Sequence, residues 1–162
     1  MKQLEAIAAV YADWGIGAEG TQPVTLKADR RRFRRLTEGA AVIVGRRTLA
    51  DFPGGRPLEG RVNLVLSRGA GPIPGAVTVR SVAEALLEAE KYPRALVIGG
   101  ASVYAEMLPH IDRIYLTKIE LVPHSDVFFP DLDALPEWSC APVEEEGEEN
   151  GLRYRFLTYS RR

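Results

Sequence analysis

Short apolar runs recur along the chain and are separated by glycine, proline or charged residues. They read LEAIAAV, AVIV, VNLVL, AVTV and ALVI. Runs of this length that are apolar at nearly every position are typical of strands buried on both faces, as in a largely parallel sheet. The pattern therefore predicts a sheet that is covered on both sides.

Segments with helical periodicity alternate with these runs. The sequence predicts four helices, over Leu26 to Glu38, from Arg46, over Ser81 to Glu90 and over Ala101 to Leu108. The third opens with Ser-x-x-Glu, which is a capping box, and the fourth is stopped by Pro109. Strands and helices in alternation indicate an α/β sheet with right-handed crossovers.

The pattern changes after the run RIYLTKIEL. The segments WSCAPVEEEG and LRYRFLTYS flank Glu149, Asn150 and Gly151, and Asn-Gly is a strong hairpin signal. We therefore expect the sheet to end in antiparallel strands. Since 46% of the 162 residues are hydrophobic and no low-complexity stretch interrupts them, we expect one domain over residues 1–162.

Composition narrows the classes of function. Lys and Arg number 21 against 22 Asp and Glu, so overall charge gives no general case for nucleic acid as a partner. Cys140 is the one cysteine, and neither a signal peptide nor a long apolar run is visible, so we expect a cytoplasmic protein without a membrane partner. His110 and His124 lack partners at ligand spacing, and no nucleophile motif is present. We therefore expect neither a metal site nor hydrolytic chemistry.

One carboxylate, Asp29, stands among six basic residues in the segment LKADRRRFRR. Helical spacing places it on a stripe with Leu26, Phe33 and Leu36, while the arginines form a local solvated face. Two ordinary interpretations are a favourable interaction with the helix dipole and an ion pair with Arg32. The third is that a polar ligand compensates the desolvation of this carboxylate.

Three strand ends carry groups suited to phosphate. Gly99 and Gly100 separate a strand from a helix, where backbone N–H groups can approach a ligand, although a tight turn alone also needs glycine. The ends of VIVGRRT and VNLVLSR add guanidinium and hydroxyl groups. A phosphorylated dinucleotide at the carboxyl ends of the strands fits this set. The Gly-x-Gly-x-x-Gly fingerprint of the common dinucleotide fold is absent, which disfavours that fold.

Seven segments, in order and at family spacing, together resemble the dihydrofolate reductases: AIAAVYADWGIG, LKADRRRF, VIVGRRT, GRPLEGRVNLVLSR, LVIGGASVY, IYLTKIE and DVFFPD. The resemblance covers essentially the whole chain. It implies an α/β fold with a central eight-stranded, mostly parallel sheet, an antiparallel C-terminal strand and about four flanking helices. It also implies NADPH-dependent reduction of 7,8-dihydrofolate to 5,6,7,8-tetrahydrofolate, in which hydride passes from nicotinamide C4 to pterin C6 and N5 is protonated.

The resemblance assigns roles to residues on the substrate side. Asp29 would accept hydrogen bonds from N3 and the 2-amino group of the pterin, and Thr117 supplies the hydroxyl that ties to this carboxylate. Arg61 matches the arginine that grips the α-carboxylate of the glutamate tail. Ile7 would offer a backbone carbonyl to the pterin, and Tyr104 would lie near the nicotinamide. The resemblance implies that the apolar walls are formed by Leu26, Phe33, Leu58 and Ile98.

On the cofactor side, the resemblance implies three groups of residues around NADPH. The nicotinamide is met by Ala9, Ile16 and Gly17. The residues that would surround the pyrophosphate are Gly99, Gly100, Ala101, Ser102, Val103 and Tyr104, together with Gly45, Arg46, Arg47 and Thr48. The adenosine 2′-phosphate is met by Arg46, Ser67, Arg68 and Arg80, and Leu66 completes the cofactor set. Because guanidinium groups recognise a phosphate dianion, NADPH should be preferred over NADH.

The chain departs from the family pattern at four places. The usual Pro-Trp pair is Pro23 and Val24 here, and the residue after Leu26 is Lys27 instead of proline. Ser125 replaces the glycine before DVFFP, and Ser102 replaces the arginine after the glycines. These departures bear on the ordering of water near N5 and on the loop from residue 12 to residue 24.

Two other classes of function stay open on the sequence. One is a reductase of the same fold that acts on another pterin or on a pyrimidine, and the other is a nucleotide-binding module without catalysis. A pyrimidine has no glutamate tail for Arg61, and a module without catalysis has no need of Asp29. We expect a monomer whose partner is the small-molecule substrate dihydrofolate.

Overall fold

A central sheet of eight strands in continuous order dominates the computed structural model, which describes residues 3–18, 24–69 and 71–162. The strands in chain order are β1 (Glu5–Tyr11), β2 (Gly15–Gly17), β3 (Ala41–Gly45), β4 (Val62–Leu66), β5 (Ala76–Val79), β6 (Ala95–Gly99), β7 (Arg113–Ile119), β8 (Val127–Phe128), β9 (Trp138–Cys140), β10 (Glu145–Glu149) and β11 (Leu152–Arg161). The α-helices are α1 (Lys27–Thr37), α2 (Arg46–Ala50), α3 (Val82–Ala89) and α4 (Ala101–Met107).

The spatial order of the sheet is β10-β11-β7-β1-β6-β3-β4-β5. All neighbours from β7 to β5 run parallel, whereas β11 runs antiparallel to both β7 and β10. The short strand β9 also pairs with β11, and β2 pairs with β8 in a separate ribbon. The predicted α/β fold, with a mostly parallel eight-stranded sheet and an antiparallel C-terminal strand, is confirmed.

The helices cover the two faces of this sheet because successive strand residues point to opposite sides. Ala41 and Ile43 of β3 belong to the core cluster that includes residues of α3 and α4. Val42 and Val44 belong to the cluster packed by α1 and α2. Both faces are therefore buried, which explains the uninterrupted apolar runs. No helix in the described ranges is long and apolar enough to cross a membrane.

The C-terminal hairpin forms where Asn-Gly predicts it. Glu149 pairs with Leu152, and the two residues between them, Asn150 and Gly151, have φ of 52° and 79°. A two-residue turn with positive φ at both positions matches the right-handed twist of the flanking strands. The turn fixes the register between β10 and β11, and it places the Glu149 side chain near α1.

Arg32 corrects the prediction that the basic residues of α1 form a solvated face. The guanidinium is buried, with 1% of the side chain exposed, and it donates from Nη1 to the Leu116 carbonyl at 2.9 Å. Its ion pair is with Glu144 at 3.1 Å, so the alternative of an ion pair with Asp29 is not what α1 forms. The solvated face consists of the exposed residues Arg30, Arg31, Arg34 and Arg35.

The first turn of α1 is capped by a residue from the other end of the chain. Leu26 occupies the N-cap position and has no side-chain group that can accept a hydrogen bond. The carboxylate of Glu149 accepts instead, from the backbone N–H groups of Lys27 at 2.7 Å and Ala28 at 3.1 Å. These hydrogen bonds lower the pKa of Glu149, chiefly the one from Lys27. A negative charge here also complements the helix dipole.

Glu149→Gln should therefore lower the melting temperature at neutral pH. Because the pKa of Glu149 is depressed in the folded state, its stabilisation is present above the unfolded-state pKa and is lost as pH falls through the folded-state pKa. The difference in melting temperature between wild type and variant should accordingly vanish in acid. Thermal unfolding followed by circular dichroism across pH measures it, with Glu148→Gln on the opposite face of β10 as the matched control. Equal losses in both variants would contradict the cap.

Candidate active site

A cleft of about 1330 Å³ opens at the carboxyl ends of the parallel strands. It runs from the ends of β4 and β3, past the end of β6, to the start of α1. This volume is larger than the range of a single drug-sized ligand site, roughly 300 to 1000 Å³. The cleft can therefore hold two ligands side by side, in the position where open α/β sheets bind nucleotides.

Asp29 faces the cleft from the first turn of α1, and strand β7 orients it. Thr117 is fully buried on β7, and its hydroxyl donates to Asp29 Oδ1 at 2.7 Å. Burial raises the pKa of Asp29, while the hydrogen bond from Thr117 and the positive charge of Arg32 oppose that rise. The other oxygen, Oδ2, makes no hydrogen bond to a described residue, so it is available to a ligand. The pair therefore joins a carboxylate that lines the cleft to the buried strand β7.

Tyr104 connects α4 to the middle of β1. Its buried hydroxyl donates to the Ile7 carbonyl at 2.6 Å, and its ring meets Phe129 edge to face at 4.8 Å between centroids. Burial is the main cause that raises the pKa of this phenol, and the negative charge of Asp29 adds to it. The phenol is therefore a neutral donor at working pH. The Ile7 carbonyl keeps a second lone pair for a ligand.

The substrate end of the cleft has apolar walls. Leu26 and Phe33 come from α1, Ile98 comes from β6 and Leu58 comes from the loop before β4. Asn63, which is 2% exposed, holds that loop: its amide group accepts from the Leu58 N–H and donates to the Leu58 carbonyl, each at 2.9 Å. A planar ring system that needs one polar edge contact fits between these walls.

The cofactor end of the cleft leaves room for a ligand against bare backbone. Gly100 follows β6, and a Cβ atom there would lie 2.5 Å from Thr48 Oγ1. A Cβ on Gly45 would lie 3.1 Å from Val103 Cγ2 and 3.9 Å from the Gly100 nitrogen. The strand ends of β3 and β6 thus approach each other at glycines, because neighbouring protein atoms leave little space for a side chain there. These residues fit the pyrophosphate of a dinucleotide.

Cations surround this end. Arg46, Arg47 and Arg68 are exposed and line the cleft beside Ser67, which is buried at the end of β4. The Arg68 guanidinium lies 3.0 Å from Glu106 Oε2, an exposed pair that orients it weakly. Guanidinium groups flanking a serine match a phosphate group carried by an adenosine ribose. The set therefore fits NADPH better than NADH.

Most residues assigned from the resemblance come together in this one cleft. Those that line it are Ile7, Ala9, Ile16, Gly17, Leu26, Asp29, Phe33, Gly45, Arg46, Arg47, Thr48, Leu58, Leu66, Ser67, Arg68, Ile98, Gly99, Gly100, Ala101, Ser102, Val103 and Tyr104. Three others, Thr117, Arg61 and Arg80, do not line it within the described part of the chain. Thr117 reaches it through Asp29, whereas the backbone N–H of Arg80 donates to Glu84 at the start of α3.

Arg61 lies behind the apolar wall and is held by α1. Its Nε donates to Thr37 Oγ1 at 3.1 Å, and its Nη1 donates to the Glu59 carbonyl at 2.6 Å. Thr37 in turn donates to the Phe33 carbonyl. The guanidinium is thereby oriented before any ligand binds, with Nη2 making no hydrogen bond to a described residue.

The departures from the family pattern fall partly in the cleft. Val24 lines it and donates its N–H to Tyr11 Oη at 3.2 Å, and Ser102 lines it as well. Ser125 lies outside the cleft, with its hydroxyl buried against Gly15. Pro23 and residues 19–22 of the loop from residue 12 to residue 24 lie outside the described residues.

Arg30 and Phe52 are among the cleft residues that sequence reasoning missed. Arg30 lines the cleft one position after Asp29, although the solvated-face interpretation placed it elsewhere. Phe52 lines it just after α2. The helical spacing of Leu26, Arg30 and Phe33 at i, i+4 and i+7 could have placed Arg30 on this face. Phe52 follows a five-residue helix, and no periodic signal marks it.

The sheet, the apolar walls beside one oriented carboxylate and the cationic glycine-lined end define a class of protein, the reductases that hold a phosphorylated dinucleotide next to an aromatic substrate. Comparisons narrow the class. The family model described as dihydrofolate reductase matches residues 3–161. The chain is 37% identical to dihydrofolate reductase type 3 of Salmonella typhimurium over 163 residues, covering 98% of each protein.

Two further matches agree. Dihydrofolate reductase of Mycobacterium tuberculosis is 39% identical over 151 residues, covering 90% of each chain. A solved dihydrofolate reductase of Enterococcus faecalis, complexed with NADP(H) and RAB-propyl, superposes with a TM-score of 0.89 at 30% identity, covering 98% of this chain and 96% of that one. The chain belongs to the dihydrofolate reductase family, and its activity is the NADPH-dependent reduction of dihydrofolate to tetrahydrofolate.

Proposed function

We propose that Asp29, oriented by Thr117, is the catalytic carboxylate of this enzyme. The observation that carries the proposal is the 2.7 Å hydrogen bond that fixes one oxygen of Asp29, a carboxylate that lines the cleft. Paired hydrogen bonds from N3 and the 2-amino group of the pterin would complete the coordination of this carboxylate.

Asp29 and the apolar walls of the cleft would have different roles in the reaction. When bound, NADPH supplies a hydride from nicotinamide C4. Asp29 holds the pterin ring by its edge and favours the cationic form that is protonated at N5, so that C6 becomes the better hydride acceptor. Leu26, Phe33 and Ile98 exclude water from the ring face. The proton itself reaches N5 through water.

The walls decide how the ring lies. Tyr104 holds the Ile7 carbonyl in the middle of β1, and both residues line the cleft. A pterin held by Asp29 at one edge and by this carbonyl at the next presents C6 toward the cofactor end. Val24 stands where the family has a tryptophan, so this position supplies no indole N–H group to order water near N5.

The assay that tests the proposed function is oxidation of NADPH in the presence of dihydrofolate. The expected result is loss of nicotinamide absorbance that requires dihydrofolate, with formation of tetrahydrofolate. Activity with a pyrimidine substrate and none with dihydrofolate would contradict it. We also propose that the protein is a monomer, which size-exclusion chromatography with light scattering on the same preparation tests. It would act in the cytoplasm, without nucleic acid as a partner.

Arg61→Ala tests whether folate, with its glutamate tail, is the substrate. Because the α-carboxylate lies far from pterin C6, its contact with Arg61 should be the same in ground and transition states. The variant should therefore raise KM for dihydrofolate by about 1.5 to 3 kcal/mol in free-energy terms, with a smaller fall in kcat. Steady-state kinetics over a range of dihydrofolate concentrations measure both parameters.

A dihydropterin without the glutamate tail is the control for this experiment. Removing the arginine and removing the tail should be non-additive, because both changes delete the same contact. Equal weakening toward both substrates would show that Arg61 acts only through its hydrogen bonds to Thr37 and Glu59. In that case the preference for folate over other pterins would need another source.

A further inference from the structure

Arg32 is a fully buried cation directly behind the candidate catalytic carboxylate. It lies three residues after Asp29 on α1, and its side chain is 1% exposed. Burying a guanidinium group is costly unless its charge and donors are compensated. Here Nη1 donates to the Leu116 carbonyl at 2.9 Å, and Nη2 donates to the Leu157 carbonyl at 3.3 Å and to Glu144 Oε2 at 3.1 Å.

The compensation is incomplete, which argues against stability as the only reason for an arginine at this position. The Nε group is buried and makes no hydrogen bond to a described residue. Glu144, which forms the ion pair with Nη2 of Arg32, is about half exposed, with 52% of its side chain accessible. Apolar side chains of similar volume often stabilise a fold as well as a buried ion pair does. The charge therefore has another consequence.

The contacts of Arg32 fall beside those of Asp29. Leu116 immediately precedes Thr117, so α1 is tied to adjacent residues of β7, once by the arginine and once by the carboxylate. The register of β11 places Phe156 opposite Thr117, and the guanidinium carbon lies 4.6 Å from the Phe156 ring centroid. The arginine thus contacts residues of β7 and β11 that lie next to Thr117, whose hydroxyl orients Asp29.

We propose that Arg32 is a positioning residue for Asp29: its guanidinium fixes α1 against β7 and β11, and it keeps a buried positive charge behind the carboxylate. The inference rests on the proposed function, in which Asp29 binds the pterin as an anion. A buried charge is screened by solvent far less than an exposed one. Arg32 should therefore influence the ionisation of Asp29 more than the exposed Arg30, its neighbour in sequence.

Within the described residues, the charged and titratable groups that face Asp29 and Arg32 come from α1, α4, β7 and the segment before β10. Asp29 faces Arg30 and Arg32 of its own helix and Tyr104 of α4, while β7 contributes the uncharged Thr117. Arg32 in turn faces Glu144 before β10, Arg35 on α1 and the ring of Tyr115 on β7. Loss of Arg32 should raise the pKa of Asp29, and loss of Glu144 should lower it, because one removes a cation and the other removes an anion.

The experiment compares four variants in the intact enzyme. Arg32→Met removes the charge, Arg32→Lys keeps it, Glu144→Gln removes the partner, and Arg34→Met makes the same change at an exposed position of α1. The readout is an NMR titration of isotope-labelled aspartate carboxyl carbons, in which Asp29→Asn identifies the resonance of Asp29. The pH dependence of kcat/KM for dihydrofolate is recorded in parallel.

Arg32→Met should raise the titration midpoint of Asp29 by about 0.5 to 1 pH unit, and Arg32→Lys should restore it. Glu144→Gln should shift the midpoint downward by a few tenths of a pH unit, roughly, and Arg34→Met should leave it unchanged. If Arg32→Met does not fold, the downward shift in Glu144→Gln decides the question. An Asp29 midpoint that is the same in all folded variants would overturn the inference.

The outcome is separable from the proposed function. If Asp29→Asn keeps near-normal turnover, the catalytic assignment of Asp29 fails whatever Arg32 does. If Asp29→Asn is inactive but the titration midpoint of Asp29 is the same in the Arg32 and Glu144 variants as in wild type, only the positioning role of Arg32 fails. A loss of melting temperature in Arg32→Met without a change in midpoint would likewise assign Arg32 to structure alone.

Discussion

Asp29→Asn should lower turnover with dihydrofolate at neutral pH by about 100-fold or more while the fold stays intact. The asparagine oxygen can still accept from Thr117, but a neutral side chain no longer favours the pterin cation. Part of the activity should return in acid, where the substrate arrives already protonated. The measurement is kcat as a function of pH, with Glu38→Gln at the exposed end of α1 as the control.

The same substitution should leave the protein as stable or make it more stable. Because burial raises the pKa of Asp29 above its unfolded-state value, the ionised carboxylate weakens the fold at any pH above the folded-state pKa. A neutral asparagine removes that cost, so the melting temperature at pH 7 should not fall. Loss of activity together with unchanged or higher stability is the signature of a functional group that the fold holds at a cost. Near-normal activity at neutral pH would refute the catalytic assignment.

Replacing Arg46 and Arg68 together with Ala should weaken NADPH binding by roughly 100-fold. Both side chains are exposed, so each lost charge-assisted hydrogen bond is worth about 1 to 2 kcal/mol after solvent screening. Since NADH lacks the 2′-phosphate, its KM should hardly change. The ratio of kcat/KM for the two cofactors, measured in wild type and in the double variant, tests the assignment.

Arg80→Ala is the informative comparison for this site. Arg80 does not line the cleft in the described part of the chain, so its contribution to NADPH binding should be smaller than that of Arg46 or Arg68. Should the double variant lose affinity for NADH as strongly as for NADPH, the two arginines would act on the pyrophosphate or on the shape of the cleft, and the preference for NADPH would lie elsewhere.

Local signals predicted the framework of this enzyme well. The apolar runs became buried parallel strands, and the Ser81 hydroxyl caps α3 by accepting from the Glu84 N–H, as the capping box predicts. The Glu84 side chain accepts from Arg80 instead of closing the box on Ser81. Asn150 and Gly151 form the predicted hairpin turn. Each of these features depends on neighbours within a few residues.

The features that escaped prediction depend on distant partners. The pocket around Arg32 is built from Leu116, Glu144 and Leu157, and α1 is capped by Glu149. Nothing within LKADRRRFRR distinguishes the buried arginine from its exposed neighbours, because the acceptors lie 84 to 125 residues away. Resemblance to a family supplied the roles of Asp29 and Arg61, and neither composition nor periodicity supplied them.

The capping of α1 by Glu149 has a consequence for the order in which a nascent chain becomes active. The helix that carries Asp29 is synthesised before its cap, which lies 122 residues later, and the carbonyl of Leu157 lies later still. Chains emerge from the ribosome with the N-terminal part first. The cleft-lining strands can pair during synthesis, but the helix that carries Asp29 acquires its cap, and Arg32 acquires its acceptor on Leu157, only when β10 and β11 have emerged. Competence for catalysis is thus deferred until β10 and β11 have been synthesised, although no described residue of these two strands lines the cleft.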